Sequence, residues 1–248
     1  MPRKYRTPNW KRVEIEPRDE RLIRTVGDEG FVRRDHAIKY IFEGKTSYAK
    51  TRIRKLKKFG YLKAVSEKKG DPESYLLGPQ GIDLVRKFYP IGLRGWGCPS
   101  VLESIDPGSY EHSWKVTEIR LLFENMGFAK NWKSGRMLRA GTKGGQKVPD
   151  GFFIRNQKGI AIEVELKLKK EATYRKIFEV YERDAKTHYI LYLCGSVRVM
   201  QKIMKWVKEG ITSKKFCFIL YDDLLRDGEE AVFVVAQGGW FRLKAILK

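Results

Sequence analysis

Apolar residues in the first third of the chain recur at helical spacing, in short runs that glycine stops. Pro17 and the acids Asp19 and Glu20 open a helix that Gly27 to Gly30 ends. Residues 33–42 predict a second helix, with Ala37, Ile38 and Ile41 on one face. A third starts at Thr46 or Ser47 and runs to Phe59, with Ala49, Ile53 and Leu56 turned inward and Gly60 as its stop. Short strands over 61–66 and 74–77 flank a polar turn, 67–73, and Pro79 starts a further helix that reaches Phe88.

The pattern then breaks. Residues 89–110 collect Pro90, Gly92, Gly95, Gly97, Pro99, Pro107 and Gly108, the composition of an inter-domain linker. Beyond it a helix over 113–126 turns Val116, Ile119, Leu122 and Phe123 inward. Strands follow near 136–140, 151–154 and 159–168, then a helix over 171–185 and a strand over 188–194. A helix over 197–208, a strand over 216–221 and a closing strand over 231–235 complete the chain. Helix, three strands, helix, strand is the core of a small α/β sheet. The expected fold class is therefore mixed α/β (α+β). A basic arm over 1–16 precedes a winged helix-turn-helix over 17–88, and the linker leads to a sheet domain over 111–248.

Charge decides the class of partner. The chain has 51 Lys+Arg against 30 Asp+Glu, a formal net charge of +21. Such an excess sustains a positive potential whose natural complement is a polyanion, and double-stranded DNA is the expected partner; charge alone does not separate it from RNA. Cys98, Cys194 and Cys217 are scattered, which argues against a disulfide framework and a structural zinc site. They read as buried, reduced thiols of a cytoplasmic protein. No apolar run has the length of a membrane span and the basic N-terminus lacks the apolar run of a signal peptide, so no membrane partner is expected.

The third helix is the candidate reading element. Its cations Lys50, Arg52, Arg54, Lys55 and Lys58 can reach phosphates, while Ser47, Tyr48 and Thr51 can reach base edges in a major groove. Lys68 and Lys69, on the turn between the two strands, lie where a neighbouring backbone would run. The same fold also serves protein contacts.

The candidate chemistry sits in the second half. Asp150 follows Pro149 at the start of one strand, and Glu163, Glu165 and Lys167 alternate along the next, opposite Ile160, Ile162, Val164 and Leu166. If the strands pair, Asp150 and Glu165 converge on one divalent ion. Hard oxygen ligands suit Mg²⁺ or Mn²⁺, which supplies an activated water and neutralises a phosphate. Lys167 would stabilise the extra negative charge, and Glu118 could reach the cluster from the preceding helix. Lys167, Lys169 and Lys170 with Tyr174, Arg175 and Lys176 form a candidate phosphate track. His112 reads as a helix-start capping or packing residue, and Gly141, Gly144 and Gly145 as a hairpin turn. Trp96, Trp132 and Trp240 are candidates for base stacking or for the core.

Pro149-Asp150 followed by Glu165-Leu166-Lys167 after an apolar strand resembles the PD-(D/E)XK nuclease superfamily. That resemblance implies a restriction-endonuclease-like fold with Asp150, Glu165 and Lys167 as functional residues and Glu118 as the helix acid. Glu163-Val164-Glu165 also fits the variant in which glutamate replaces the lysine, so the working pair is either Glu163/Glu165 or Glu165/Lys167. More of the chain is similar to the replication-relaxation proteins of plasmids and other mobile elements. The resemblance rests on the expected N-terminal winged helix, on His112 to Arg120, on Val148 to Gly151, on Ala161 to Leu166 and on Tyr174 to Tyr181. It implies replication or processing of mobile-element DNA, with replication or transposition proteins and a second copy of the chain as possible partners. The function expected is metal-dependent nicking or cleavage; the alternative is a non-catalytic replication accessory or regulator on the same scaffold.

Overall fold

The computed structural model describes residues 13–66, 72–88, 106–142 and 147–247. The arm up to residue 12, Lys68, Lys69, Trp96, Cys98, Gly144, Gly145 and most of the proposed linker lie outside the described residues. The chain divides into two compact units, which part near residues 89–105.

The first unit opens with α1 (Pro17–Glu29). Glu16 caps it, and the Asp19 side chain accepts in turn from the Glu16 N–H at 3.1 Å, so two otherwise unpaired donors are satisfied together. A two-residue strand, β1 (Val32–Arg33), leads into α2 (Arg34–His36), which runs on directly as a π-helical turn (Ala37–Ile41). Then come α3 (Thr46–Lys58), β2 (Leu62–Val65), β3 (Ser74–Leu77) and α4 (Pro79–Phe88). Gly60, at φ +74°, lets the chain leave α3 in a left-handed turn that other residues rarely adopt. The strands pair antiparallel in the order β1-β3-β2, with Val32 opposite Tyr75 and Leu62 opposite Leu77. Ala49, Ile53 and Leu56 of α3 are buried as the periodicity requires, at no more than 4% exposure.

The second unit is built on a seven-stranded mixed sheet in the order β10-β9-β8-β7-β6-β5-β4. After α5 (Tyr110–Asn125), the strands β4 (Lys133–Ser134), β5 (Gly151–Arg155) and β6 (Lys158–Glu165) pair antiparallel in sequence. Then α7 (Glu171–Arg183) crosses over to β7 (Thr187–Cys194), which pairs parallel with β6. The chain continues through α8 (Val197–Gly210) to β8 (Phe216–Leu220), parallel to β7. It ends with α9 (Tyr221–Asp227), the antiparallel pair β9 (Val232–Val235) and β10 (Trp240–Arg242), and α10 (Leu243–Leu247).

Both faces of this sheet are covered. Val116, Ile119 and Phe123 of α5 pack with Ile160, Ile162 and Val164 on one face. Tyr174, Phe178 and Tyr181 of α7, with Ile203 and Trp206 of α8, pack with Ala161 and Tyr192 on the other. Each large apolar side chain buried this way contributes about 1.5–3 kcal/mol.

Three expectations change. Residues 136–140 are not a strand: they belong to α6 (Gly135–Ala140), whose cap is Ser134, accepting from Met137 N at 3.3 Å. A satisfied N-cap wins over a short apolar alternation, and β4 is left with two residues. Gly141 accordingly ends a helix rather than shaping a hairpin. The third change concerns β6, which stops at Glu165, so Lys167 lies beyond the strand and is exposed.

Candidate functional site

The antiparallel register sets Gly151 opposite Ile162, and the pairing extends one residue further, with Asp150 N donating to Ile162 O at 3.0 Å. Asp150 then turns its carboxylate along β6, where Oδ2 accepts from Val164 N at 2.9 Å. The turn is held from behind. A Cβ at Gly151 would sit 2.0 Å from the Trp132 ring, and Gly135 N donates to Asp150 O at 2.8 Å. Only glycine fits at 151, so packing against Trp132 fixes the residue that follows Asp150.

His112, in the first turn of α5, meets the same carboxylate. Its Nε2 lies 3.1 Å from Asp150 Oδ2 and 3.1 Å from Val164 O. Both are acceptors, so Nε2 carries the proton. Burial works against charge on both partners. The hydrogen bond and the mutual attraction outweigh it, holding Asp150 below the ordinary carboxylate range and raising His112. Asp150 is thus an ionised, largely buried carboxylate whose Oδ1 receives no hydrogen bond among the described residues.

Glu163 and Glu165 share the other side of the story. They were expected to share one face of the strand with Lys167. Instead the strand is buried on both faces, and the two glutamates are 2% and 3% exposed beneath α7. Lys147 donates to Glu163 Oε2 at 2.8 Å and pairs with Oε1 at 2.7 Å, and Tyr181 donates to Oε1 as well. Lys169 pairs with Glu165, and Tyr174 donates to its second oxygen at 3.0 Å. Burial is the dominant influence on Glu163 and pushes its carboxyl up to about 7, against the pull of Lys147. Tyr192, directly across from Glu163 on β7, has its hydroxyl buried with no hydrogen-bond partner among the described residues, and burial raises the phenol well above its usual value.

The arrangement therefore brings Asp150, Glu163 and Glu165 together and leaves out two other expected members. Lys167 forms no ion pair among the described residues, because the side-chain alternation that would align it with Glu165 ends with the strand. Glu118 is buried at 6% exposure, and Tyr221 donates to it at 2.6 Å. It lies six residues along α5 from His112, about 9 Å along the axis, and on a different side of the helix. Among the described residues no three His, Cys, Asp or Glu side chains form a ready-made metal cage.

Sequence reasoning also missed members. His112 is no mere cap. Lys147, Tyr181 and Tyr192 were not singled out, and Tyr174 and Lys169 were assigned to a surface track. Tyrosines on the apolar stripe of α7 were the available signal, since a buried hydroxyl demands a polar partner across the interface. Of the proposed track, Tyr174 is buried, and Arg175 is tied to Glu171 at 2.9 Å and Glu209 at 3.5 Å. Cys194 and Cys217 are free and buried, their thiols pushed up to about 12 by burial, which makes them inert at neutral pH. Trp132 is core, and Trp240 is exposed.

In the first unit, Ser47, Lys50, Thr51, Arg54 and Lys58 form one exposed stripe of α3, at helical spacing. Lys55 is half-buried. Arg52 corrects the expectation, being 7% exposed and turned inward. It pairs with Asp19 and with Glu16 at 2.7 Å, and donates to Glu14 O at 2.8 Å. Tyr48 donates to Glu16, so its hydroxyl is also engaged within the unit.

Compared with protein-family models, curated proteins and solved structures, the chain matches none. Among the described residues no helix is long and apolar enough to cross a membrane.

Proposed function

We propose that this chain is a metal-dependent DNA-cutting protein of the PD-(D/E)XK type, joined to a winged-helix DNA-binding unit and acting on plasmid or other mobile-element DNA. One observation carries the reading: an ionised Asp150 held beside Glu163 and Glu165 at the junction of β5 and β6. The order α5, β4, β5, β6, α7, β7, with the short α6 between β4 and β5, supports it. Between the two pairs left open by the sequence, the geometry favours Glu163/Glu165 over Glu165/Lys167.

Mg²⁺ or Mn²⁺ fits the donor set. Asp150 Oδ1 accepts no hydrogen bond among the described residues, and the neighbouring donors are carboxylate oxygens. Asp150 and Glu165, with Glu163, would hold the ion, which supplies an activated water and neutralises phosphate charge when bound. His112 fixes the Asp150 carboxylate and keeps it deprotonated. Lys147 and Lys169 keep two buried glutamates compensated and sit where they can turn toward a phosphate. In the winged-helix unit, the stripe Ser47, Lys50, Thr51, Arg54 and Lys58 would face the groove.

The test is a supercoiled-plasmid nicking assay with Mg²⁺ and Mn²⁺, alongside calorimetric titration of each ion. Asp150→Asn is isosteric and is expected to lose nicking by at least about a hundredfold, consistent with losing a metal-organising carboxylate. Nicking that persists unchanged in the variant removes the assignment. A second reading, a DNA-binding accessory on a nuclease-like scaffold, is favoured by the internal pairing of Glu163 with Lys147 and of Glu165 with Lys169. It predicts that the wild type neither binds the ions nor nicks, while DNA binding is intact.

A further inference from the structure

The end of the second unit's sheet at which β6 and β7 stop carries a surface that the site itself does not use. These strands are parallel neighbours with Glu165 opposite Cys194, so the segments that follow them leave side by side. Gly195 N donates to Glu165 O at 2.9 Å, and a Cβ at Gly195 would come within 3.2 Å of Leu166 Cα. The segment after β6 presents Lys167, Leu168 and Lys170, all exposed, and the start of α8 presents Val197 and Arg198, also exposed. Lys167, Lys170 and Arg198 form no ion pair among the described residues. The acid nearest in sequence, Glu171, is engaged by Arg175 at 2.9 Å. Leu168 is 37% and Val197 48% exposed, two large apolar side chains left in water on the same two segments as the three cations.

We propose that this rim is a second DNA contact, which carries the phosphate backbone of a DNA strand past the site. The partner follows from the chemistry. Spaced cations pair with successive phosphates, and apolar side chains between them suit the deoxyribose faces that separate phosphates. The rim also adjoins the site. Lys169 lies within the same segment and reaches inward to Glu165, while His112 reaches Val164 O near the end of the same strand. The proposal rests on the DNA-binding part of the function proposed above, and its test reads binding rather than cleavage, so the two fail separately.

The experiment uses the full chain and a fluorescein-labelled duplex, with anisotropy measured across a salt series. The Lys167→Gln/Lys170→Gln/Arg198→Gln variant changes only exposed positions, and its melting temperature should match the wild type. The expected result is affinity about tenfold weaker or worse, with the salt slope smaller by roughly 2–3, since each lost phosphate contact removes about 0.9. A wild type that shows no salt-dependent binding overturns the DNA-binding reading and the rim with it. Wild-type binding with an unchanged slope in the triple variant overturns the rim alone. A wild type that ignores DNA but is captured by anionic phospholipid vesicles, with capture lost in the variant, assigns the rim to a membrane surface and also overturns the proposal.

Discussion

Glu163 shows most clearly how burial and pairing compete at one side chain. Lys147, at 2.7 Å, favours the carboxylate, while enclosure on the covered face of the sheet favours the acid, and enclosure wins. The folded value of about 7 lies above the model-peptide value of 4.5, so the folded chain holds a proton that the unfolded chain releases between those limits. Stability from this group is therefore full below pH 4.5 and declines as pH rises through 7. The full swing is on the order of 3 kcal/mol at 1.36 kcal/mol per unit of pKa difference. In urea titrations at pH 5 and pH 8, Glu163→Gln should be more stable relative to wild type at the higher pH. Equal differences at both pH values would mean that Glu163 is ionised throughout.

At the scale of elements, α1 and α3 are joined by a polar contact that the helical pattern hides. Asp19 is fully buried, and it serves the α1 cap and Arg52 of α3 at once. Removing one partner of such a pair leaves a buried charge uncompensated, which costs about 3–5 kcal/mol. Arg52→Ala is thus expected to lower unfolding stability by about that amount, read as a shift in the urea midpoint at constant slope. A loss below about 1 kcal/mol would show that water replaces the guanidinium. The periodicity of α3 placed Ala49, Ile53 and Leu56 correctly. It could not place Arg52, because an arginine next to an apolar stripe turns inward only if an acid on another helix meets it.

At the scale of the molecule, a charge of +21 has to be distributed before it means anything. Many cations are spent internally, on Asp19, Glu163, Glu165, Glu171 and Glu230 among others. Those that stay exposed without an ion pair among the described residues include Lys50 and Arg54 of α3. Lys50→Glu/Arg54→Glu is expected to weaken duplex binding strongly and to reduce the salt slope by roughly 2, from two lost phosphate contacts. Anisotropy titrations over a salt series provide the check. An unchanged slope would move the DNA-binding face away from α3.

The sequence alone determined most elements, the mixed α/β class and the apolar side of each main helix, because periodicity reports which face of an element is buried. It also marked Asp150, Glu163 and Glu165, since their spacing on two strands is local information. It could not say which alternation faces outward, and β6 is covered on both sides, so the glutamates are buried rather than exposed. Nor could spacing reveal His112 beside Asp150, Lys147 beside Glu163, or Tyr192 across from Glu163, since these meet across gaps of 38, 16 and 29 residues. Lys167 was misplaced because strand alternation was carried past the point where the ladder ends. Periodicity is a property of one element at a time. The charge state of the site is a property of four elements packed together, and only the tertiary structure decided it.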